Sequence, residues 1–303
     1  MNSPLGIVFP GQGSQSVGML NNIAQQYPEI RSVFSESSDV LGYDLWKLIQ
    51  DGPAEILDQT VHTQPALLAS SVALWQVMMS RKENKPTLLA GHSLGEYSAL
   101  VCANAFTLAE GIRLVAARGQ FMQEAVPTGS GGMAAIVGLD NEKVADICRQ
   151  SVLENEILTP ANFNSPGQVV IAGHRQAVER AVILAKNADA KLAKILPVSV
   201  PSHCLLMQSA ADKLKELLST LTVRPPIYPV LSNADVTIYD TPAAIQDGLV
   251  RQLTLPVRWV DIIQVFVQKG IHHIIECGPG KVLTGLNKRM TTLQSTTVAD
   301  SFN

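Results

Sequence analysis

The chain has 303 residues, with 23 Lys plus Arg against 26 Asp plus Glu and a formal net charge of −3. Hydrophobic residues make up 46% and charged residues only 16%, below the roughly 25% charge of an ordinary soluble domain. This balance excludes a general nucleic-acid binder, which carries a basic excess, and a highly charged disordered chain; it leaves ample apolar material for one large domain or two.

In chain order, the opening Met1-Asn2-Ser3-Pro4 has no basic run, so no secretory leader is expected. Gly6-Ile7-Val8-Phe9 reads as a short buried strand ending at Pro10-Gly11. The loop after it, Gly11-Gln12-Gly13-Ser14-Gln15, fails as a dinucleotide fingerprint because Ser16 stands where the third glycine is needed. A glycine loop at a strand's carboxyl end can still aim backbone N–H groups and Gln12 at a reaction centre. Helical periodicity is expected over 21–34 and 65–79. The apolar run from Ala66 to Met79 contains Ser70, Ser71 and Gln76 and is too short to span a bilayer. Thr87-Leu88-Leu89-Ala90-Gly91 reads as a second buried strand, with an apolar helix over 99–105.

Gly129-Ser130-Gly131-Gly132 marks a flexible junction. Beyond it the expected order is strand (133–139), helix capped by Asp140, strand (157–163), turn, strand (168–172), helix (175–187) and strand (191–198). That β-α-β-β-α-β order predicts a small ferredoxin-like domain over 129–198. Afterwards the chain returns to the alternation of its first part, with a helix over 204–221, a strand over 228–232, a helix opened by Thr241-Pro242 and a strand over 271–277. The expected fold class is therefore α/β. A discontinuous large domain, 1–128 plus 199–303, is built on a mainly parallel, α/β-hydrolase-like sheet, and the ferredoxin-like domain is inserted into it.

The strongest chemical signal is Gly91-His92-Ser93-Leu94-Gly95, which matches the G-x-S-x-G nucleophile elbow in the strand–turn–helix context that motif requires. Side chains at Gly91 or Gly95 would clash with neighbouring backbone, and the helix starting after Ser93 would face a developing oxyanion. A serine nucleophile needs a base. Among the six histidines, His203 stands where the chain leaves the small domain, and clefts between domains are common ligand sites; taken alone it also reads as a loop histidine. Arg118 falls within the apolar stripe of a helix over 108–124, flanked by Leu114, Val115, Phe121 and Met122 within about 60° at 100° per residue. Such an arginine is either half of an internal salt bridge or a clamp for a substrate carboxylate. Cys102, Cys148, Cys204 and Cys277 are widely spaced, with no zinc pattern, so reduced thiols in a cytoplasmic protein and no metal site are expected.

Together these pieces resemble the malonyl-CoA:acyl carrier protein transacylases. The resemblance runs through the Gly11–Gln15 loop, Gly91–Glu96, Ala117-Arg118-Gly119, Ala161-Asn162-Phe163-Asn164, Val200-Pro201-Ser202-His203, Gln252 near Pro256-Val257-Arg258-Trp259, and Glu276-Cys277-Gly278-Pro279-Gly280. It implies a catalytic set of Ser93 as acyl acceptor, His203 as base and Gln252, whose backbone carbonyl orients the histidine in place of an acid. It implies an oxyanion hole from the backbone N–H groups of Gln12 and Leu94. It further implies substrate binding by Arg118 on the malonyl carboxylate, with Asn162 and Asn233 lining the cleft. The implied substrates are malonyl-CoA and acyl carrier protein, in fatty acid biosynthesis, with no cofactor, metal, nucleic acid or membrane. The competing expectations are a serine esterase or thioesterase, a transacylase for another acyl-CoA such as methylmalonyl-CoA, and a non-catalytic scaffold on the same fold.

Overall fold

The computed structural model describes residues 4–81, 85–198 and 200–301; residues 1–3, where a leader would begin, and Ser199, at the expected domain junction, lie outside it. Strand β1 (Leu5–Phe9) is followed by helices α1 (Asn21–Gln26), α2 (Glu29–Leu41), α3 (Leu45–Asp51), α4 (Ala54–Leu57) and α5 (Thr60–Arg81). Strand β2 (Leu88–Gly91) leads into α6 (Leu94–Cys102) and α7 (Leu108–Glu124). A second group comprises β3 (Gly131–Val137), α8 (Asn141–Ser151), β4 (Leu158–Ser165), β5 (Gln168–His174), α9 (Arg175–Asn187) and β6 (Leu192–Ile195). The chain ends with α10 (Gln208–Ser219), β7 (Val230–Leu231), α11 (Pro242–Gln252), α12 (Trp259–Gln268), β8 (His273–Glu276), α13 (Val282–Asn287) and β9 (Gln294–Thr297).

The first sheet has the order β7-β2-β1-β8-β9 and every pairing is parallel. A parallel sheet is covered on both faces, so its central strands are apolar at every position; β1 and β2 are buried throughout. Alternate residues feed two cores. Ile7, Phe9, Leu89 and Ile275 pack with α5, α6 and α7 on one face. Val8, Leu88, Ala90 and Ile274 pack against Trp259, Ile262 and Phe266 of α12 on the other. The carboxyl ends of β1 and β2, adjacent at the centre of this sheet, are where an open α/β fold presents its ligand crevice.

The second sheet is antiparallel in the order β4-β5-β3-β6, with α8 and α9 closing a separate core on one face. Its other face carries Met133, Ala161, Val170 and Ala172, which pack with Cys204. Strand β4 is held by backbone to the segment between α11 and α12: Phe163 N donates to Val257 O at 2.9 Å and Val257 N to Ala161 O at 2.9 Å. The wall carrying Asn162 is thereby tied to the segment that follows α11.

Local signals hold where the chain has a specific cap. Asp140 accepts from Lys143 N at the start of α8, and Thr241 caps α11 with Pro242 at its first position. The periodicity over 21–34 resolves instead into two helices, because Pro28 has no N–H to continue the first and opens the second. Helix α5 starts at Thr60, upstream of the expected Pro65, and carries that proline inside it. Gly131 and Gly132 open β3 and are not loop. His272 lies outside β8, which begins at His273, whose Nε2 meets Thr296 Oγ1 at 2.8 Å.

Candidate active site

Ser93 sits between β2 and α6 at φ 53°, ψ −109°, a conformation L-residues rarely adopt. Its neighbours explain why the turn must be made of small residues. A Cβ on Gly91 would lie 1.8 Å from the carbonyl carbon of Gly95, and one on Gly95 would lie 2.0 Å from Phe9 O. The strand, the turn and the helix touch backbone to backbone, and the Ser93 side chain is the part left facing the crevice.

His203 reaches the same point from the segment after β6, also at positive φ (64°). Its Nε2 lies 2.8 Å from Ser93 Oγ and its Nδ1 lies 2.8 Å from Gln252 O. A carbonyl only accepts, so Nδ1 carries the proton and Nε2 is left as the acceptor for the Ser93 hydroxyl. Burial, aided by the positive charge of Arg118, pushes the His203 imidazole down to about 3. The ring is therefore neutral, as a base for a hydroxyl must be.

Arg118 is 1% exposed, and among the described residues it makes no ion pair. Its NH1 donates to Gln64 Oε1 at 2.8 Å, and its NH2 to Gln252 Oε1 at 2.9 Å and to Ser93 Oγ at 3.3 Å. The guanidinium also stands over the Tyr97 ring, 5.1 Å from its centroid. Of the two readings left open by the helix pattern, the internal salt bridge is not formed among the described residues. A buried cation held by neutral amides and an aromatic face keeps its charge for an incoming anion.

Ser93, His203, Arg118 and Gln64 line a cavity of about 210 Å³ between the two sheets. The Gln12 and Leu94 residues border it, and neither backbone N–H donates a hydrogen bond among the described residues. Leu94 is the first residue of α6, so its N–H points out of the helix along the positive end of the dipole. Asn162 is on the cavity wall, and Met122, Met133, Val170, Leu196, Val198 and Val200 supply an apolar remainder.

Asn233 is a correction. It does not line the cavity; it is fully buried behind the elbow. Its Oδ1 accepts from Ser93 N at 2.8 Å and its Nδ2 donates to Gly91 O at 2.6 Å. The amide satisfies backbone groups that the sharp turn removes from the sheet and helix ladders, which makes it part of the scaffold under the serine.

Three polar groups join the site without a role assigned to them from sequence. Gln64 holds the guanidinium of Arg118. His92 Nε2 meets Asn164 Oδ1 at 2.8 Å across the crevice. Glu96, fully buried, accepts from Tyr239 Oη at 2.6 Å, Gln252 Nε2 at 2.5 Å and Asn233 N at 3.1 Å. The one local signal for Glu96 is a lone carboxylate in an otherwise apolar helix, α6. Among the described residues no cluster of three or more His, Cys, Asp or Glu is placed to hold a metal ion, and no helix is long and apolar enough to cross a membrane.

An α/β fold with a parallel sheet, and a serine–histidine pair at the carboxyl ends of its central strands, defines the class. Residues 7–300 match the family model described as acyl transferase domain. The malonyl CoA-acyl carrier protein transacylase of Salmonella typhimurium is 57% identical over 283 residues, covering 93% of this chain and 91% of that protein. The crystal structure of an acyl carrier protein S-malonyltransferase from Vibrio cholerae superposes with a TM-score of 0.95 at 52% identity, covering 99% of this chain and all of that one. A malonyl-transacylase solved in complex with its type II PKS acyl-carrier protein gives 0.95 at 52% identity, covering 97% and 95%. The chain belongs to the acyl transferase domain family and is an acyltransferase.

Proposed function

We propose that the protein moves the malonyl group of malonyl-CoA to the phosphopantetheine thiol of acyl carrier protein, in fatty acid biosynthesis, by way of a malonyl ester on Ser93. The observation that carries this reading is the buried Arg118, which makes no ion pair among the described residues and has its NH2 3.3 Å from Ser93 Oγ. That spacing suits an acyl group with a free carboxylate a short distance beyond the carbonyl that Ser93 attacks.

His203 Nε2 accepts the Ser93 proton as Oγ attacks the thioester carbonyl. The Gln12 and Leu94 N–H groups hold the tetrahedral oxyanion. The C–S bond breaks, and the proton on His203 passes to the CoA sulfur, leaving the ester. The carrier thiol then repeats the sequence in reverse, giving its proton to His203 while the ester C–O bond breaks and Ser93 regains its hydrogen. Gln252 contributes its backbone carbonyl, which fixes the imidazole tautomer. Asn162 borders the acyl group from the second sheet. No step calls for a cofactor.

The domain division belongs to the same proposal: a catalytic, α/β-hydrolase-like part at 1–128 and 199–303, and a ferredoxin-like part at 129–198. It is supported by the separate core under the antiparallel sheet and by that sheet's strand order. A working place in the cytoplasm fits four buried cysteines kept as thiols.

The test is transfer of label from malonyl-CoA to holo-acyl carrier protein, with free malonate followed in parallel. Malonyl-carrier formation that greatly exceeds malonate release is expected. Malonate release that ignores the carrier would make the protein a thioesterase.

A further inference from the structure

The proposed transfer uses Ser93, His203, Gln252 and Arg118, and leaves the buried carboxyl beneath them without a role. Glu96 is fully buried one helical turn after Ser93, and both its oxygens are engaged by donors. Each donor belongs to a different part of the site. Asn233, which gives its backbone N–H to Glu96, holds Ser93 N and Gly91 O with its side chain and so fixes the elbow. Gln252 gives Nε2 to Glu96 and to Ser93 O, presents Oε1 to Arg118, and places its main-chain carbonyl on His203. Tyr239, from the segment between β7 and α11, closes the set with its hydroxyl.

The orientation of the Gln252 amide depends on this arrangement. Arg118 only donates, so it requires the amide oxygen on its side. An ionised carboxylate only accepts, so it requires the amide nitrogen on the other. A direct Glu96–Arg118 bridge would occupy the guanidinium; with an amide between them the two charges are linked while Arg118 stays free for substrate.

We propose that Glu96 is a positioning residue for the acyl transfer: its ionised carboxylate registers the nucleophile turn, the helix end that orients His203 and the Arg118 anchor against one another, and its protonation releases them. This rests on the function proposed above. Neutral Glu96 carries a hydroxyl, and of its three partners only the Tyr239 oxygen can accept from it, so either the Tyr239 bond reverses direction or a buried contact breaks.

The charged and titratable groups facing Glu96 are Arg118 from α7, Tyr97 beside it on α6, and Tyr239. Burial raises the Glu96 carboxyl to about 7, against the opposing pull of its hydrogen bonds and of Arg118. His203 is held near 3. Activity that needs ionised Glu96 therefore falls as pH drops through about 7, where His203 is still neutral. The acidic limb of the rate profile reports Glu96, not the histidine.

The experiment is the pH dependence, from 5 to 9, of single-turnover acylation by malonyl-CoA in the full-length protein, its Glu96→Gln variant and its Tyr239→Phe variant. Glu96→Gln is expected to lower the plateau rate per folded site roughly 10- to 100-fold, leave KM for malonyl-CoA within about twofold, and abolish the limb near neutrality. Tyr239→Phe removes one donor to the carboxylate, so its limb should move up by about one pH unit with the plateau nearly kept. A folded Glu96→Gln protein with the wild-type rate and limb overturns the proposal. If that variant does not fold, an unmoved limb in Tyr239→Phe overturns it and a shifted limb supports it. Absence of acylation in the unaltered protein would overturn the underlying functional reading instead.

Discussion

Arg118→Ala is expected to lower malonyl transfer about a thousandfold while leaving acetyl transfer within a few-fold of its starting rate. The cause is charge in a dry place. Arg118 is 1% exposed, and among the described residues its guanidinium meets two amides, the Ser93 hydroxyl and a tyrosine face. A malonyl carboxylate that enters without it becomes a buried charge with no counter-ion. Truncating one side of such a pair costs several kcal/mol, or about three powers of ten in rate. Acetyl carries no carboxylate and forfeits none of this. A second effect works in the same direction. Arg118 contributes to holding the His203 imidazole near 3, so a malonyl carboxylate that neutralises Arg118 also returns basicity to His203. Removing the arginine gives acetyl transfer that benefit without a carboxylate. Parallel rate measurements with malonyl-CoA and acetyl-CoA check this, and equal losses for the two would remove Arg118 from the role of carboxylate anchor.

His203→Ala is expected to slow acylation of Ser93 by about 10⁶-fold, the scale found when the serine or the histidine of a serine–base unit is removed. The 2.8 Å contact from Nε2 to Ser93 Oγ is the route that the proposed mechanism gives the serine proton. The 2.8 Å contact from Nδ1 to Gln252 O keeps the ring in the tautomer that can accept it. A residual rate should survive, since the Gln12 and Leu94 N–H groups and Arg118 remain. Rapid-quench measurement of the acyl-enzyme gives the comparison. A variant that acylates within tenfold of the unaltered protein would show that another group, or solvent, takes the proton.

The chemistry is most legible in the sequence where it is local. Gly91 and Gly95 flank Ser93 because a Cβ on either would meet backbone at 1.8 Å and 2.0 Å, and a requirement that strict leaves a fixed spacing in the chain. Arg118 is visible as a misplaced charge on the apolar stripe of α7, but its lack of a carboxylate partner is a fact about α5 and α11, which periodicity in α7 does not report. Gln252 acts on His203 through its main chain, and every residue has a carbonyl, so no side-chain pattern marks it; only the resemblance to a family does. Asn233 shows the opposite failure. The resemblance puts it on the cleft wall, while its burial and its bonds to Ser93 N and Gly91 O make it a support under the turn.

The same division runs through the fold. Asp140 and Thr241-Pro242 announce helix starts by their own chemistry, and α8 and α11 begin there. The second sheet follows the expected order of elements because each strand and helix in it is separately patterned, although some of its edges shift by up to three residues. Strand β9 and helices α3, α4, α12 and α13 are additions to the expected elements. Strand β9 is Gln-Ser-Thr-Thr, with no apolar run, and it is recruited to the sheet by pairing with β8. Helix α12 carries Trp259, Ile262, Ile263 and Phe266 at i, i+3, i+4 and i+7, the stripe that packs on the sheet, so its local periodicity does signal a helix that the expected elements omit.

The central claim is that Ser93 accepts the malonyl group, and the most direct measurement is the intact mass of the protein after brief mixing with malonyl-CoA in the absence of any acceptor. The protein should gain the mass of one malonyl group, with one equivalent of CoA released and the modification on Ser93, and Ser93→Ala should gain nothing. A folded protein that stays unmodified and releases no CoA, or a Ser93→Ala protein that is modified as readily as the original, would contradict it.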